Sequence, residues 1–445
     1  PPGGPSLPPS ETPRKWPLPC VALLSLQADH LKELQARYES ALAEHGYDSL
    51  LIASGAAPYR YGDDQAWHFQ GYGPFLHWTG LAGREHCWLW IRAGHKPVLW
   101  LFEPVDFWHA NSPLAEEPWQ QFIEVRSSAS PEAPLLDDPE SLAVIGDPAL
   151  ISNIPGEKNP EALLRDLDET RVCKTPYEIE CLAQANRLAL AGHAAAREAF
   201  LVGESEFGIN LAYQQATGQR EAEAPYHSII GLNEHAGTLH YQYYDTQPPG
   251  QTRSLLIDAG VRFRGYCSDI TRTTAGPEES HFAALIHGLD RLQVRLCDMV
   301  APGVDYIDIH RKAHQGLAAL LSATGLVTGL DDEDIVKKGI TRVFFPHGIG
   351  HFLGVQVHDV AGKPTPPPDD APFLRLTRRL EPGMVVTIEP GLYFIPSLLD
   401  PLLEGELGQY LNRELIGRLR GCGGIRIEDN VVVTDAGSRN LTRGL

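Results

Sequence analysis

The residues that could do chemistry gather in one short run and four flanking carboxylates. The run HGIGHFLGVQVHD, residues 347 to 359, holds His347, His351 and His358 among three glycines. Asp258 and Asp269 precede it, and Glu389 and Glu428 follow. Two glycines separate His347 from His351 and no glutamate stands beside the first histidine, so this is not the helical HExxH zinc signature. Extended chain with a tight turn is expected there. Four carboxylates with at least one imidazole form a hard donor set that suits Mn, Fe(II), Co or Zn better than Cu(I). Two such ions can activate water against a carbonyl or phosphoryl group. Surplus histidines can donate to a developing oxyanion or move a proton. The bland alternatives are aspartates at turns, hydrogen-bonded core histidines, and a surface pair of Arg426 with Glu428. A mononuclear two-histidine, one-carboxylate oxygenase is a further reading, and it leaves three carboxylates without a use.

These side chains need rigid elements to aim them. SLLIDAGVRFRGYCSDITRTT, residues 254 to 274, reads as two strands folding back on each other. A reversal centred at Phe263-Arg264 would set Asp258 opposite Asp269, with Cβ atoms ~4.5–5.5 Å apart, and like charges so placed require a cation or a shared proton. Glu389 ends the strand MVVTIE before Pro390-Gly391. In GGIRIEDNVVV, alternation puts Ile425 and Ile427 on one face and Arg426 and Glu428 on the other.

Upstream, apolar residues at helical spacing predict a helix from about Cys20 to Gly46. The strand SLLIAS follows, then two strands joined at Ala93-Gly94, then a strand at LAVIGDP. Thr175-Pro176 opens a long helix, with Thr175 as N-cap and Glu178 adding charge near its positive end. Further helices are expected over 204–219, 279–300 and 305–324. The letters show no internal repeat.

A chain of 445 residues exceeds what one core usually serves, so two domains are expected. A net charge of −20 disfavours nucleic acid and anionic membranes as partners. No run approaches the ~20 apolar residues of a membrane span. Seven scattered cysteines without a CxxC pair read as reduced thiols of a cytoplasmic protein. The Pro-rich start lacks the apolar core of a signal peptide and is expected to be extended.

The ordered set Asp258, Asp269, His351, Glu389 and Glu428, in the contexts IDAG, SDITRT, HGIGH, TIEPGLY and RIEDN, resembles the pita-bread metallopeptidases. That superfamily includes methionine aminopeptidase, aminopeptidase P and proline dipeptidase. PVDFWH at 104 to 109, TPYEIECLAQANRLAL, APYHSIIGLNEHAGTLHY and FLRLTRRLEPGMVVTIEPGLYF are similar to the bacterial Xaa-Pro dipeptidases, the group that includes the organophosphorus acid anhydrolases. The similarity runs from about residue 22 to the C-terminus.

The resemblance implies an α/β and α+β architecture. A Pro-rich extension would cover 1–20, a small mixed α/β domain 21–165 and a C-terminal pita-bread catalytic domain 166–445. It implies two divalent ions per subunit, with Mn2+ expected and Co2+ or Zn2+ as alternatives. Asp258 would bind one ion, Asp269 and Glu428 would bridge both, and His351 and Glu389 would complete the second. A metal-bridging hydroxide would attack the amide before a C-terminal proline, with Glu389 as proton acceptor. His347 and His358 would meet the substrate, and His240 with Arg375 would hold its carboxylate. Arg426 and Tyr393 would steady the site, Tyr226 would line the leaving-group pocket, and Asp64 would reach a partner subunit in a homodimer. Organophosphate hydrolysis is a side activity that such a pocket admits. The alternatives are aminopeptidase P action on longer Xaa-Pro-Yaa peptides and a non-catalytic binding protein of the same fold. One departure is Phe352, where the bacterial group carries another histidine; metal binding should survive it, with pocket shape or a secondary activity open to change.

Overall fold

The computed structural model describes residues 21–108, 114, 117–137 and 140–443. The Pro-rich start, Cys20 and His109 lie outside the described residues. The first helix, Val21–His45, buries Leu31, Leu34, Tyr38 and Leu42 along one stripe and ends at Gly46, whose φ of +75° favours a residue without Cβ. It covers a six-stranded mixed sheet. The strand order is Glu124–Ser128, Val98–Phe102, Trp88–Arg92, Ser49–Ala53, Leu142–Ile145, Glu157–Lys158. The expected hairpin at Gly94 is present, with Trp88 paired to Trp100.

The helix Glu161–Glu169 runs across residue 165, and the chain leaves it through 170–175 into the long helix Pro176–Leu201. Thr175 and Glu178 close a reciprocal capping box at its start. That start is tied to the N-terminal domain. His30 Nδ1 lies 2.9 Å from Thr175 Oγ1, and His77 Nε2 lies 3.3 Å from Glu178 Oε1. One buried cluster joins Leu34, Phe75 and Leu89 of the first domain to Tyr177, Leu182, Tyr266, Leu353 and Val432 of the second. Each such side chain contributes ~1.5–3 kcal/mol when fully buried, so this seam is part of the core rather than a loose contact.

The second domain contains two three-stranded antiparallel sheets, each accompanied by a helix pair. Pro176–Leu201 and Glu206–Thr217 accompany strands Ile229–Leu232, Ser254–Asp258 and Thr271–Ala275. Ser280–Asp298 and Tyr306–Ala323 accompany Val385–Ile388, Asp429–Thr434 and Gly437–Asn440. An isolated bridge between Thr271 and Glu428 joins the two sheets where the carboxylates converge.

The register of the first sheet differs from expectation by two residues. Asp258 pairs with Thr271, not with Asp269. The reversal falls at Arg264 and Gly265, both at positive φ, with Phe263 paired to Tyr266. The glycine placed the turn one position later than Phe263-Arg264, and each step of the turn slides the facing partner by two. Asp258 and Asp269 are therefore diagonal neighbours across the sheet rather than opposed ones.

Candidate metal centre

The five proposed ligands arrive from five separate points of the chain. Asp258 ends a strand, Asp269 precedes the next, Glu389 follows the last residue of Val385–Ile388, and Glu428 lies between Gly424–Arg426 and Asp429–Thr434. His351 sits in non-helical chain, as expected from its glycines. Gly350 has φ +153°, and a Cβ there would meet Thr387 O at 2.3 Å and Tyr306 Oη at 2.4 Å. Only glycine lets this backbone pass so close to the strand that delivers Glu389.

The side chains meet at one point. His351 Nε2 lies 3.3 Å from Asp269 Oδ2 and 3.7 Å from Glu389 Oε1. Asp269, His351 and Glu428 offer ligand atoms all within 4.8 Å of one another. The Tyr226 hydroxyl is 2.8 Å from Asp258 Oδ1 and 2.6 Å from Asp269 Oδ1. Arg426 donates to Asp258 Oδ2 at 2.7 Å and to the Tyr393 oxygen at 2.9 Å. Glu428 accepts from Thr271 Oγ1 at 2.7 Å.

Charge at this point is unbalanced. Burial and the neighbouring Asp269, Glu389 and Asp258 push Glu428 well above the usual carboxylate range. Burial raises Glu389 to about 7 against the pull of His351 and Arg426. Asp258 is also raised by burial, and Arg426 offsets only part of that. Asp269 goes the other way: burial is outweighed by its hydrogen bond and charge interaction with His351. Three buried carboxylates and the half-buried Glu389, facing one guanidinium and one imidazole, are what divalent cations neutralise, so the donor set fits metal. A second grouping, Glu206, His235 and Asp245, does not. Glu206 already accepts from Leu232 N, His235, Tyr241 Oη and Asp245 N, which leaves it no lone pair aimed at an ion.

The three histidines differ in their engagement. His351 Nδ1 is 2.8 Å from Phe352 O, which turns Nε2 towards Asp269. His347 is engaged at both nitrogens, by Gly348 O at 2.9 Å and Tyr393 Oη at 2.9 Å. Tyr393 accepts from Arg426, so its own hydroxyl donates to His347 Nε2. Among the described residues, His358 has no hydrogen-bond partner at either nitrogen; its ring stands edge-on to His351 with centroids 4.4 Å apart. Desolvation in the cleft, then His351 and Arg375, lower its pKa to about 4. A cavity of about 640 Å3 opens beside it, lined by Tyr226, His358, Val357, Gln70 and Glu221 among others.

Arg375 and His240 are exposed, and the Arg375 charge reaches His358. Asp64 is exposed on the N-terminal domain, hydrogen-bonded to Gln65, and is not brought to this centre within the chain. Phe352 is buried in the core and does not line the cavity, so this departure leaves the pocket wall untouched.

The profile of metallopeptidase family M24 matches residues 180–435. The chain belongs to metallopeptidase family M24. The profile of the Xaa-Pro dipeptidase N-terminal domain matches residues 25–168 of this M24 chain. The Xaa-Pro dipeptidase of Marinobacter nauticus is 74% identical over 426 residues, covering 96% of this chain and 99% of that protein. That of Serratia proteamaculans is 44% identical over 437 residues, covering 95% and 99%. Among solved structures, aminopeptidase P from E. coli with the inhibitor Pro-Leu matches with a TM-score of 0.71 at 24% identity, covering 93% of this chain and 95% of that one. At that identity the likeness carries the fold, which is the pita-bread architecture expected from the motifs.

The sequence pointed to the carboxylates and to His351, which converge here, but not to several groups that hold them. Thr271 bonds Glu428, and Arg426 reaches Thr271 Oγ1 at 3.2 Å. Asn430 receives Asp269 N at 3.1 Å and bonds Asn186 of the long helix. The Tyr226 hydroxyl touches two proposed ligands rather than only lining a pocket. The sole signal for Thr271 was its two-residue spacing from Asp269, which places both on one face.

Proposed function

We propose that this chain is a dinuclear metal-dependent peptidase that hydrolyses Xaa-Pro dipeptides. The observation that carries the reading is the convergence of Asp258, Asp269, His351, Glu389 and Glu428 on one buried, under-neutralised point beside a histidine with both ring nitrogens free. The near-full-length likeness to Xaa-Pro dipeptidases supports the substrate class. Asp258, Asp269, His351, Glu389 and Glu428 would hold the ions, with Mn2+ as the expected metal. When bound, the ions supply Lewis acidity and a water of lowered pKa.

The protein's own groups do the rest. An Xaa-Pro bond is a tertiary amide without an N–H, so recognition must rest on the two ends of the dipeptide and on shape. Arg375 and His240 would take the proline carboxylate at the exposed lip. His358, free at both nitrogens, would donate to the carbonyl oxygen as charge develops there. Glu389 would accept a proton and deliver it to the departing proline nitrogen, and its Oε2 lies 3.8 Å from His347 Nδ1. His347 is held by Tyr393, which Arg426 holds in turn, so this row would keep the substrate wall rigid. Tyr226 would close the leaving-group side. We place the protein in the cytoplasm as a homodimer, with Asp64 of each subunit reaching the other's cleft, and set the domain division in 170–175. Among the described residues no helix is long and apolar enough to cross a membrane.

The test is hydrolysis of an Xaa-Pro dipeptide panel and one Xaa-Pro-Yaa tripeptide, with and without Mn2+, beside Asp269→Asn. Cleavage of dipeptides only, dependent on metal and lost in the variant, is expected. Cleavage of the tripeptide in preference would assign the chain to the aminopeptidase P reaction instead.

A further inference from the structure

An imidazole with no hydrogen-bond partner among the described residues takes its direction from its backbone and from ring packing, here the edge-on contact with His351. His358 is in that position, so what anchors residues 353–359 decides where it points. The neighbouring Asp359 side chain is 1% exposed and carries two cations on its two oxygens. Arg171 donates to Oδ1, and Lys174 Nζ lies 2.8 Å from Oδ2. Both cations are equally buried and come from the segment that links the two domains. Arg171 also donates to Gln356 Oε1 at 2.7 Å, and Lys174 donates to the Arg171 carbonyl. The contact is close enough to dictate sequence. A Cβ at Gly354 would lie 2.1 Å from Asp359 Oδ2 and 3.1 Å from Lys174 Cε.

We propose that Asp359 is a positioning residue for His358, and that Arg171 and Lys174 of the interdomain segment set its place. Two buried cations of the interdomain segment and the buried Asp359 carboxylate are costly unless paired, and removing one partner strands the others. Their geometry makes the pairing serve the reaction. The carboxylate sits one residue from the histidine, and its partners stand just before the long helix, where Lys174 N bonds Gly383 O at 2.8 Å. The histidine loop is thereby referenced to the domain seam in addition to its backbone hydrogen bonds, such as Leu353 N to Val385 O at 3.0 Å and Cys267 N to Gly354 O at 2.9 Å. A misplacement on the order of 1 Å at a reacting group costs about 100-fold in rate.

This inference rests on the dipeptidase reading, and the experiment separates the two. The full-length Mn2+-loaded enzyme, Asp359→Asn, His358→Asn and the double variant are assayed for kcat and KM on an Xaa-Pro dipeptide, with bound metal and melting temperature measured on each. D359N keeps its backbone N–H and its size, so its bond to Phe352 O at 3.0 Å should persist. The expected result is a kcat about 10- to 100-fold lower in D359N, with KM and metal content little changed. In the H358N background the same change should cost less than about twofold, because Asp359 acts through the missing ring. Equal factors in both backgrounds would overturn the proposal, as would wild-type kcat in D359N. If D359N does not fold, Lys174→Met takes its place in the cycle, and Lys174→Arg should restore most of the lost kcat. A wild-type enzyme that cleaves no Xaa-Pro dipeptide would sink the function reading itself.

Discussion

The metal-free site stores a destabilising charge, and Glu389→Gln should expose it. In the folded, metal-free chain burial raises Glu389 from 4.5 to about 7. The folded state then binds more protons than the unfolded state between those values. Stability from this group is therefore present at low pH and is lost as pH rises through about 7. At ~1.4 kcal/mol per pH unit, the loss between pH 5 and pH 8 is about 2.5 kcal/mol. Glutamine does not titrate, so E389Q lacks this loss. Unfolding entropy of ~2.1 cal/mol/K per residue gives ~0.9 kcal/mol/K for a chain of this length, so 2.5 kcal/mol corresponds to about 3 °C. The assay is thermal melting of wild type and E389Q in excess EDTA at pH 5 and pH 8. The variant's melting point minus that of wild type should become more positive by about 3 °C at the higher pH. Excess Mn2+ at pH 8 should reverse the order, because wild type gains binding energy that the variant cannot match. A difference that is flat with pH in EDTA would refute the charge argument, and an order unchanged by Mn2+ would refute Glu389 as a ligand.

A second pH effect runs the other way. Burial lowers the His310 pKa to about 4, so this ring favours folding less as pH drops from 6.5 towards 4. His310→Phe should remove about 2 kcal/mol of this acid sensitivity at pH 5, read as a melting-point gain over wild type that vanishes at pH 8. Arg426→Lys loses the fork that spans Asp258 and Tyr393, and kcat/KM should fall about 10- to 100-fold with reduced bound metal, measured on a dipeptide and by elemental analysis. The three histidines should separate by phenotype. His351→Asn should lower metal content, and His358→Asn should lower kcat with metal content intact. His347→Phe should lower kcat and also melting temperature, since it unpairs Tyr393.

What the sequence revealed follows the range of the interaction that fixes each feature. Gly46 and Thr175-Pro176 bound their helices through local backbone chemistry, and both boundaries were legible. The short helices Gly73–Thr79, Asp332–Lys337 and Ile340–Phe344 were not, because five to seven residues give no periodicity to read. The five carboxylate and histidine contexts were legible through resemblance, whereas the sheet register between Asp258 and Asp269 was read two residues off. It depends on whether the turn uses Phe263-Arg264 or Arg264-Gly265, a choice worth one glycine. The groups around the centre were hidden for a different reason. Asp359 meets Arg171 and Lys174 across more than 180 positions, and Asn186 meets Asn430 across 244. No periodicity within either segment encodes such a pairing; the first exists only once the interdomain segment packs on the histidine loop, and the second only once the long helix packs on its sheet.

The histidine run shows how one stretch of chain can serve two sides of a reaction centre. The three rings lie within twelve residues, yet their nitrogen partners give each a different capacity. His351 has one nitrogen committed to a carbonyl and the other turned towards carboxylates, the arrangement a metal-binding imidazole needs. His347 has both nitrogens committed, so it can hold a wall but cannot donate without breaking a bond. His358 has neither committed, so it alone can answer charge that appears on a substrate. Rigid neighbours are needed to make that freedom useful, and the neighbours differ in kind. Gly350 brings His351 against the strand of Glu389 by close backbone approach. Asp359 fixes the loop of His358 by buried charge. The metal-facing part of the run is therefore set by packing within the catalytic domain, and the substrate-facing part by electrostatics at the domain seam.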